Sequence, residues 1–246
     1  MIIAIIGGSG LNQLPELKVK DEIILDTPWG KLSAPIIIGE LNKVNIVFLP
    51  RHGDSHTILP HKINYRANIW ALKKIGVKKI IGINAVGGIT KSMSPNSIIV
   101  PDQIIDYTYG RENTFFEEEQ GNVKHIDFTM PYSDGLRKQL IKAARLIKLK
   151  IHKKGVYGVT QGPRLESAAE IYKLEKDGCN IVGMTGMPEA ALAKELEIDY
   201  ACCGLVVNWA AGKDSNVITM DIIEKNLKKG LKNIKRLILE VIRNTH

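Results

Sequence analysis

Short runs of β-branched apolar residues recur along the whole chain, and each is bounded by glycine, proline or polar residues. Runs of this length predict buried β-strands rather than helices. Amphipathic segments separate some of them, so the sequence predicts an α/β layered fold rather than a helical bundle or a β-sandwich. The candidate strands are Ile2–Ile6, Ile36–Ile38, Ile46–Leu49, Lys79–Ile83, Ile98–Val100, Gly155–Val159, Ile181–Gly183 and Tyr200–Val207.

Two segments have the periodicity of amphipathic helices. Between the third and fourth candidate strands, apolar residues recur at helical spacing, namely Ile63, Ala67, Trp70 and Ala71, which predicts a β-α-β crossover. From Ile223 to Val241, apolar residues follow one another at steps of three and four, with lysines mostly on the other face. This pattern predicts a long helix that closes the domain.

The composition suits one sizeable α/β domain. A chain of 246 residues, 44% of them hydrophobic, can bury a substantial core. No repeat, low-complexity tract or Gly/Ser linker divides it, so we expect a single domain over residues 1–246. No apolar run approaches the roughly 20 residues of a membrane-spanning helix. The net charge of +8 favours an anionic partner, which could be a polyanion, an acidic membrane or a small phosphorylated ligand.

The N-terminus and the cysteines indicate a cytoplasmic protein. Residues 1–6 have no basic segment before them and run directly into glycines, so they predict a buried strand rather than a signal peptide. Cys179, Cys202 and Cys203 form no CxxC pair, and two of them are adjacent in an apolar stretch. They are expected to be reduced core residues.

Four of the predicted strands end in residues that suit anion binding. After the first strand, Gly7-Gly8-Ser9-Gly10 combines small residues with a hydroxyl, which fits either an anion-binding turn or a merely tight connection. Residues 83–88 and 183–189 repeat the theme, although Thr185 and Pro188 would also suit an ordinary helix start. Because ligands gather at the carboxyl ends of strands in open α/β sheets, the four ends together predict an anion site.

The remaining one of these four ends follows the candidate strand Ile46–Leu49 and also contains histidines. Arg51 and His52 follow a strand directly, which favours oxyanion binding. His52, Asp54 and His56 could instead be metal ligands, although their spacing matches neither HExxH nor a Cys/His zinc pattern.

Six motifs follow one another along almost the whole chain. They are Ile6-Gly-Gly-Ser-Gly-Leu11, Pro50-Arg-His-Gly53 with Asn64-Tyr-Arg-Ala-Asn-Ile-Trp-Ala71, Asn84-Ala-Val-Gly-Gly88, Gly162-Pro-Arg-Leu-Glu166, Gly183-Met-Thr185 and Asn208-Trp-Ala-Ala-Gly212. In this order they resemble the trimeric purine nucleoside phosphorylase family in its 5'-methylthioadenosine phosphorylase branch. The resemblance implies a mixed, twisted and partly barrel-like sheet flanked by helices, in a homotrimer. It also implies that inorganic phosphate is a co-substrate, and that neither a metal nor an organic cofactor takes part.

The resemblance assigns roles by position. It implies that phosphate attacks the anomeric carbon of a purine nucleoside, with Arg51, His52 and Asn208 as the catalytic residues. A fixed array of hydroxyls, amides and one guanidinium can orient phosphate and stabilise an oxocarbenium ion. The implied phosphate-binding residues are Ser9, Arg51, His52, Asn84, Ala85 and Thr185, and the implied substrate-binding residues include Met184, Leu165, Glu166, Asn208, Trp209 and Ala210.

The base site departs from the methylthioadenosine branch. That branch has Asp-Tyr-Asp where this chain has Asn208-Trp209-Ala210. An Asn amide can donate to the O6 and N7 acceptors of a 6-oxopurine. Glu166 stands where 6-oxopurine phosphorylases carry a glutamate that accepts N1–H, a proton that adenine lacks. The alternatives are that Glu166 merely caps a helix or pairs on its surface, and that Asn208 is a generic turn residue.

The 5' side of the pentose resembles the methylthio branch. The start of the last helix has no histidine for a 5'-hydroxyl, and Met220 and Ile223, beside Asp221, suggest an apolar pocket for a methylthio group. Both could equally be core positions of that helix. His125 matches a histidine that the branch brings to this pocket from a neighbouring subunit.

These observations predict an enzyme that cleaves 6-oxopurine methylthio-nucleosides. The alternatives are a methylthioadenosine phosphorylase and an inosine or guanosine phosphorylase. A nucleic-acid-binding role, suggested by the basic balance and the lysine-rich last helix, is not expected. Only 6% of the residues are aromatic, and no stacking platform or recognised module is present.

Overall fold

The computed structural model describes residues 2–8, 18–41, 43–117, 124–215 and 217–244. Its ten strands form one mixed sheet, and five α-helices and a 3-10 helix (Pro60–Lys62) accompany them in these ranges. The strands are β1 Ile2–Gly7, β2 Lys18–Ile23, β3 Ile36–Leu41, β4 Val44–Pro50, β5 Val77–Gly88, β6 Ile98–Ile99, β7 Gln103–Asp106, β8 Val156–Val159, β9 Ile181–Gly183 and β10 Asp199–Trp209. The helices are α1 Tyr65–Lys74, α2 Asp134–Leu146, α3 Ala168–Lys176, α4 Glu189–Glu195 and α5 Met220–Arg243.

The centre of the sheet is parallel. β1 is almost wholly buried and pairs in parallel with β4 on one side and β5 on the other. α1 leads from β4 to β5, so the predicted β-α-β crossover is confirmed, with β1 between its two strands. The predicted α/β class, with a mixed sheet flanked by helices, is confirmed as well.

Strand β5 is longer than the sequence predicts, because β10 pairs with it as far as Trp209 opposite Gly88. On its other edge, β1 pairs as far as Gly82, and the antiparallel β9 begins at Gly87. Between these positions, residues 83–86 have no strand partner on that edge within the described ranges. The free edge opens the sheet to a cavity.

The long C-terminal helix has two different halves. In its second half Ile234, Leu237, Ile238 and Ile242 are buried with residues of β10 and α2. Its first half, from Met220 to Leu231, is less buried, and the apolar stripe there faces the cavity instead. The predicted amphipathic helix is therefore confirmed, but its apolar face packs in the core only in the second half and lines the cavity in the first half.

Sequence patterning missed two strands and three helices. β2, with the sequence KVKDEI, is mostly exposed, so no alternation of apolar and polar residues reveals it. The N-cap residues of α2 and α3 are Ser133 and Ser167, whose side chains accept from the backbone N–H three residues later. None of the helices in the described part of the chain is long and apolar enough to cross a membrane.

Candidate active site

A cavity of about 480 Å³ lies where β1 and β4 end and where the edge of β5 is free. A volume of this size is typical of a small-molecule site. The four segments that the sequence predicts to bind an anion converge here, three of them at strand ends and residues 83–86 within β5. Its wall includes Gly8, Arg51, His52, Asn84, Ala85, Leu165, Glu166, Met184, Thr185, Asn208, Ala210, Met220 and Ile223.

Arg51 is a buried cation in the wall of this cavity, with an exposed fraction of 1%. Its Nε and Nη2 donate to the two carboxylate oxygens of Glu189 at 2.7 and 2.6 Å, and Nη1 donates to the carbonyl of Ile83 at 3.0 Å. Burial alone would lower the pKa of Arg51, but the Glu189 carboxylate more than offsets it and raises that pKa above its usual value. The guanidinium therefore stays charged.

The free edge of β5 offers backbone donors beside Arg51. The Ile83 carbonyl points to this edge, because it accepts from Arg51. N–H and C=O groups two residues apart point to the same side of a strand, so the N–H of Ala85 faces the free edge too. Ala85 is exposed, whereas Asn84 is buried. The structure thus makes the Ala85 amide available to an anion.

Thr185 is oriented by a chain of buried side chains. The thiol of Cys202 donates to Oδ1 of Asn84 at 3.3 Å, and Nδ2 of Asn84 donates to Oγ1 of Thr185 at 2.7 Å. Because Thr185 accepts through its oxygen, its own proton can be donated to an anion in the cavity. The helix-start alternative holds for Pro188, which is the N-cap of α4, but not for Thr185, because no side chain caps this helix.

His52 is a half-buried, neutral imidazole. Nδ1 lies 2.8 Å from the carbonyl of Ile58, which can only accept, so Nδ1 carries the proton and Nε2 is an acceptor. Burial lowers the pKa of His52 to about 4, and Arg51 and the adjacent His56 ring add to this effect. Within the described ranges, no three side chains of the metal-ligating types lie close enough together to hold an ion.

Glu166 lies in the cavity wall just before α3. Its Oε1 accepts from the hydroxyl of Thr160 at 2.6 Å, which leaves its second oxygen for another donor. The capping alternative does not hold, because Ser167 and Glu170 form the capping box of α3.

Asn208 is buried in the wall on β10, at a point where the strand is irregular. Val206 pairs with Val86 and Asn208 with Gly87, so Val207 is an extra residue, as in a β-bulge. The Asn208 Nδ2 donates to the carbonyl of Trp209 at 2.7 Å. One N–H and the side-chain oxygen remain for a ligand, so the amide can donate one hydrogen bond to a base in this conformation rather than two.

The side of the cavity formed by α5 is apolar. Met220, Ile223, Leu227 and Leu231 line it at helical spacing, together with Ile218. A hydroxyl placed against this wall would lose its hydrogen bonds to water, whereas a thioether would lose none of importance.

The chain matches the family model described as the Phosphorylase superfamily over residues 2–243. The chain belongs to this family. A relative from Pseudomonas syringae pv. tomato, named probable S-methyl-5'-thioinosine phosphorylase, is 50% identical over 241 residues, which are 98% of each chain. A 6-oxopurine nucleoside phosphorylase from Pyrococcus furiosus is 44% identical over 98% of this chain and 91% of its own. The structure of methylthioadenosine phosphorylase from Schistosoma mansoni with adenine has a TM-score of 0.93 at 31% identity, covering 99% of this chain and 91% of that one.

Some of the residues expected in this phosphorylase superfamily site lie elsewhere. Trp209 is absent from the cavity wall, because neighbours on a strand point to opposite faces and Asn208 faces inward. Asp221 is exposed and lies outside the cavity wall. His125 is exposed and outside the wall of its own chain, so its contribution from a neighbouring subunit stays a prediction. Ser9 lies outside the described residues.

Sequence reasoning missed the groups behind this phosphorylase superfamily site. Glu189, Tyr200 and Cys202 lie outside the cavity wall, but they hold Arg51 and Asn84. The signal for Glu189 was an acid directly after the anion-binding turn of residues 183–188. For Tyr200 and Cys202 no local signal exists, because an apolar strand conceals both.

The neutral His52 predicts a loss of stability in mild acid. Its pKa is lowered in the folded state, so the unfolded chain binds the proton more readily as pH falls from about 6.5 towards about 4. The free energy of unfolding should therefore decrease through this window. Urea unfolding at about pH 7.5 and about pH 5 should show a smaller loss for His52→Gln than for the unmodified protein. His152→Gln, remote from the cavity, should retain the full loss, and equal losses in all three proteins would contradict the assignment.

Proposed function

We propose that this chain is a purine nucleoside phosphorylase that cleaves S-methyl-5'-thioinosine with inorganic phosphate, giving hypoxanthine and S-methyl-5-thio-α-D-ribose 1-phosphate. The observation that carries the proposal is that one cavity brings together Arg51, Ala85 and Thr185, the polar side chains of Glu166 and Asn208, and the apolar side of α5. The names of the relatives from Pseudomonas and Pyrococcus support the 6-oxopurine preference.

Phosphate is held by the Arg51 guanidinium, the Ala85 amide and the Thr185 hydroxyl. An oxygen of phosphate attacks the anomeric carbon as the glycosidic C–N bond breaks, and the bonding electron pair passes to the purine. The phosphate charge stabilises the oxocarbenium character of the pentose. Asn208 donates its remaining N–H to the purine as negative charge develops there, and the base takes up a proton on release.

Glu166 selects the base. Its free oxygen accepts the N1–H of a 6-oxopurine, while Thr160 holds the other oxygen. An adenine base has no proton at N1, so the carboxylate would face a lone pair instead. A hydrogen bond to a charged group contributes about 1.5–3 kcal/mol, which corresponds to roughly ten- to a hundredfold discrimination.

The proposal is tested by comparing kcat/KM for methylthioinosine, methylthioadenosine and inosine with excess phosphate. We expect methylthioinosine to be the best substrate. Methylthioadenosine should be weaker by about tenfold or more because of Glu166, and inosine should be weaker because its 5'-hydroxyl meets an apolar wall. A wide preference for methylthioadenosine would contradict the base assignment, and a preference for inosine would favour the ordinary nucleoside alternative.

A matched pair of variants separates base selection from local stability. Glu166→Gln should reduce the preference for methylthioinosine over methylthioadenosine. Glu170→Gln is the matched control. Glu170 lies in the same segment, but its carboxylate binds Arg164 and Ser167 outside the cavity, so the preference for methylthioinosine over methylthioadenosine should stay unchanged. Equal effects of the two changes would count against a base contact.

The same proposal includes the cofactor requirement, the location and the oligomeric state of the enzyme. It works without a metal or an organic cofactor, in the cytoplasm, as a homotrimer in which His125 approaches a neighbouring subunit's cavity. Its ligands are a nucleoside and phosphate, with no nucleic acid or membrane partner.

A further inference from the structure

The carboxylate of Glu189 lies behind Arg51, at the first residue of α4, and has an exposed fraction of 1%. Both of its oxygens are occupied. Oε2 accepts from Nε of Arg51 at 2.7 Å, and Oε1 accepts from Nη2 of Arg51 at 2.6 Å and from the hydroxyl of Tyr200 at 2.7 Å. Three hydrogen bonds therefore fix this carboxylate in the interior.

These contacts determine which donors of Arg51 remain. A guanidinium has five N–H groups. Glu189 takes two of them and the Ile83 carbonyl takes one, so among the described residues two N–H groups are left, one on each terminal nitrogen. One donor on each terminal nitrogen is what a bidentate contact with an oxyanion requires.

The surrounding backbone accommodates this arrangement. Tyr200 is on β10 and pairs with Ile80 of the neighbouring β5. A Cβ atom at Gly82 would overlap the Tyr200 hydroxyl and lie 3.1 Å from Oε1 of Glu189. The glycine therefore leaves the space in which the tyrosine reaches the carboxylate.

We propose that Glu189, supported by Tyr200, is a positioning residue that holds the Arg51 guanidinium at the angle at which its two remaining N–H groups bind phosphate. The inference rests on the proposed function. Charge alone predicts the opposite effect on phosphate binding, because a carboxylate beside Arg51 weakens the positive electrostatic potential at the anion site. If Arg51 acted through charge alone, removing the carboxylate would tighten phosphate binding. If its orientation decides, removing the carboxylate weakens binding.

Steady-state kinetics on the full chain with inorganic phosphate distinguish these two outcomes. Glu189→Gln should raise the KM for phosphate about ten- to a hundredfold, because the rotated or displaced guanidinium loses charge-assisted hydrogen bonds. Tyr200→Phe, which removes one of the three contacts, should raise it about three- to tenfold. The KM for the nucleoside should change by less than about twofold in both variants, since Glu189 does not reach the base side.

Glu195→Gln is the matched control. Glu195 is buried on the same helix, but it accepts from the Thr114 hydroxyl at 2.7 Å and the Phe115 amide at 2.8 Å and does not touch Arg51. It should lose stability without a selective rise in the KM for phosphate. The increase in melting temperature that phosphate causes should be reduced in Glu189→Gln and retained in Glu195→Gln.

An unchanged or lower KM for phosphate in Glu189→Gln would overturn the proposal, as would equal kinetic changes in Glu189→Gln and Glu195→Gln. If Glu189→Gln does not fold, Tyr200→Phe decides by the same criterion. Failure of the proposed function is a different result, because the unmodified protein would then release no purine in the presence of phosphate.

Discussion

Arg51→Met is expected to lower kcat/KM by about a thousandfold, because phosphate loses two buried charge-assisted hydrogen bonds that contribute about 1.5–3 kcal/mol each. The same change should lower the free energy of unfolding by about 3–5 kcal/mol. The Glu189 carboxylate has an exposed fraction of 1%, so in this variant it would be a buried charge without the cation that pairs with it. Phosphorolysis assays and urea unfolding measure the two effects on one sample.

A double variant separates these effects. Arg51→Met with Glu189→Leu replaces the buried pair by apolar groups, so much of the lost stability should return while activity stays lost. Arg137→Met is the control for burial, because Arg137 is 6% exposed and donates to the carbonyls of Pro101 and Lys153, outside the cavity. This control should be destabilised yet active. Substantial activity in Arg51→Met would contradict the proposed phosphate contact.

Asn208→Asp is expected to shift the preference from 6-oxopurine to 6-aminopurine nucleosides. A carboxyl group in its acid form can donate to N7 and accept from the 6-amino group of adenine, whereas a carboxylate repels O6 of hypoxanthine. The 6-oxopurine substrate loses one hydrogen bond and the 6-aminopurine substrate gains one, at about 1.5 kcal/mol each. The ratio of their kcat/KM values should therefore change about a hundredfold. The measurement compares methylthioinosine with methylthioadenosine.

Asn68→Asp is the control for this specificity change. Asn68 is 2% exposed, and its amide contacts Ser33 rather than the cavity, so the substrate ratio should not move. If the Asn208→Asp ratio equals that of the unmodified protein, Asn208 does not contact the 6-position of the purine.

Local patterning predicted the elements with the most regular burial. β1 and β9 lie close to their predicted limits, and α1 and α5 follow the predicted periodicity. Patterning failed where the cause was not local. The sequence predicts that β5 ends at Ile83, before a run of small residues, but pairing with β10 extends the strand to Gly88.

The candidate site follows the same division. The amino-acid sequence supplied the chemical groups, because Arg51, Thr185, Glu166 and Asn208 belong to the motifs that carry the resemblance to the family. How these groups are used depends on the tertiary structure. Three of the five N–H groups of Arg51 donate to Glu189 and Ile83. One N–H of the Asn208 amide donates to the carbonyl of Trp209, and Asp221 is exposed to solvent. Each of these results depends on pairing between strands and on side-chain direction, which arise from contacts between residues far apart in the chain.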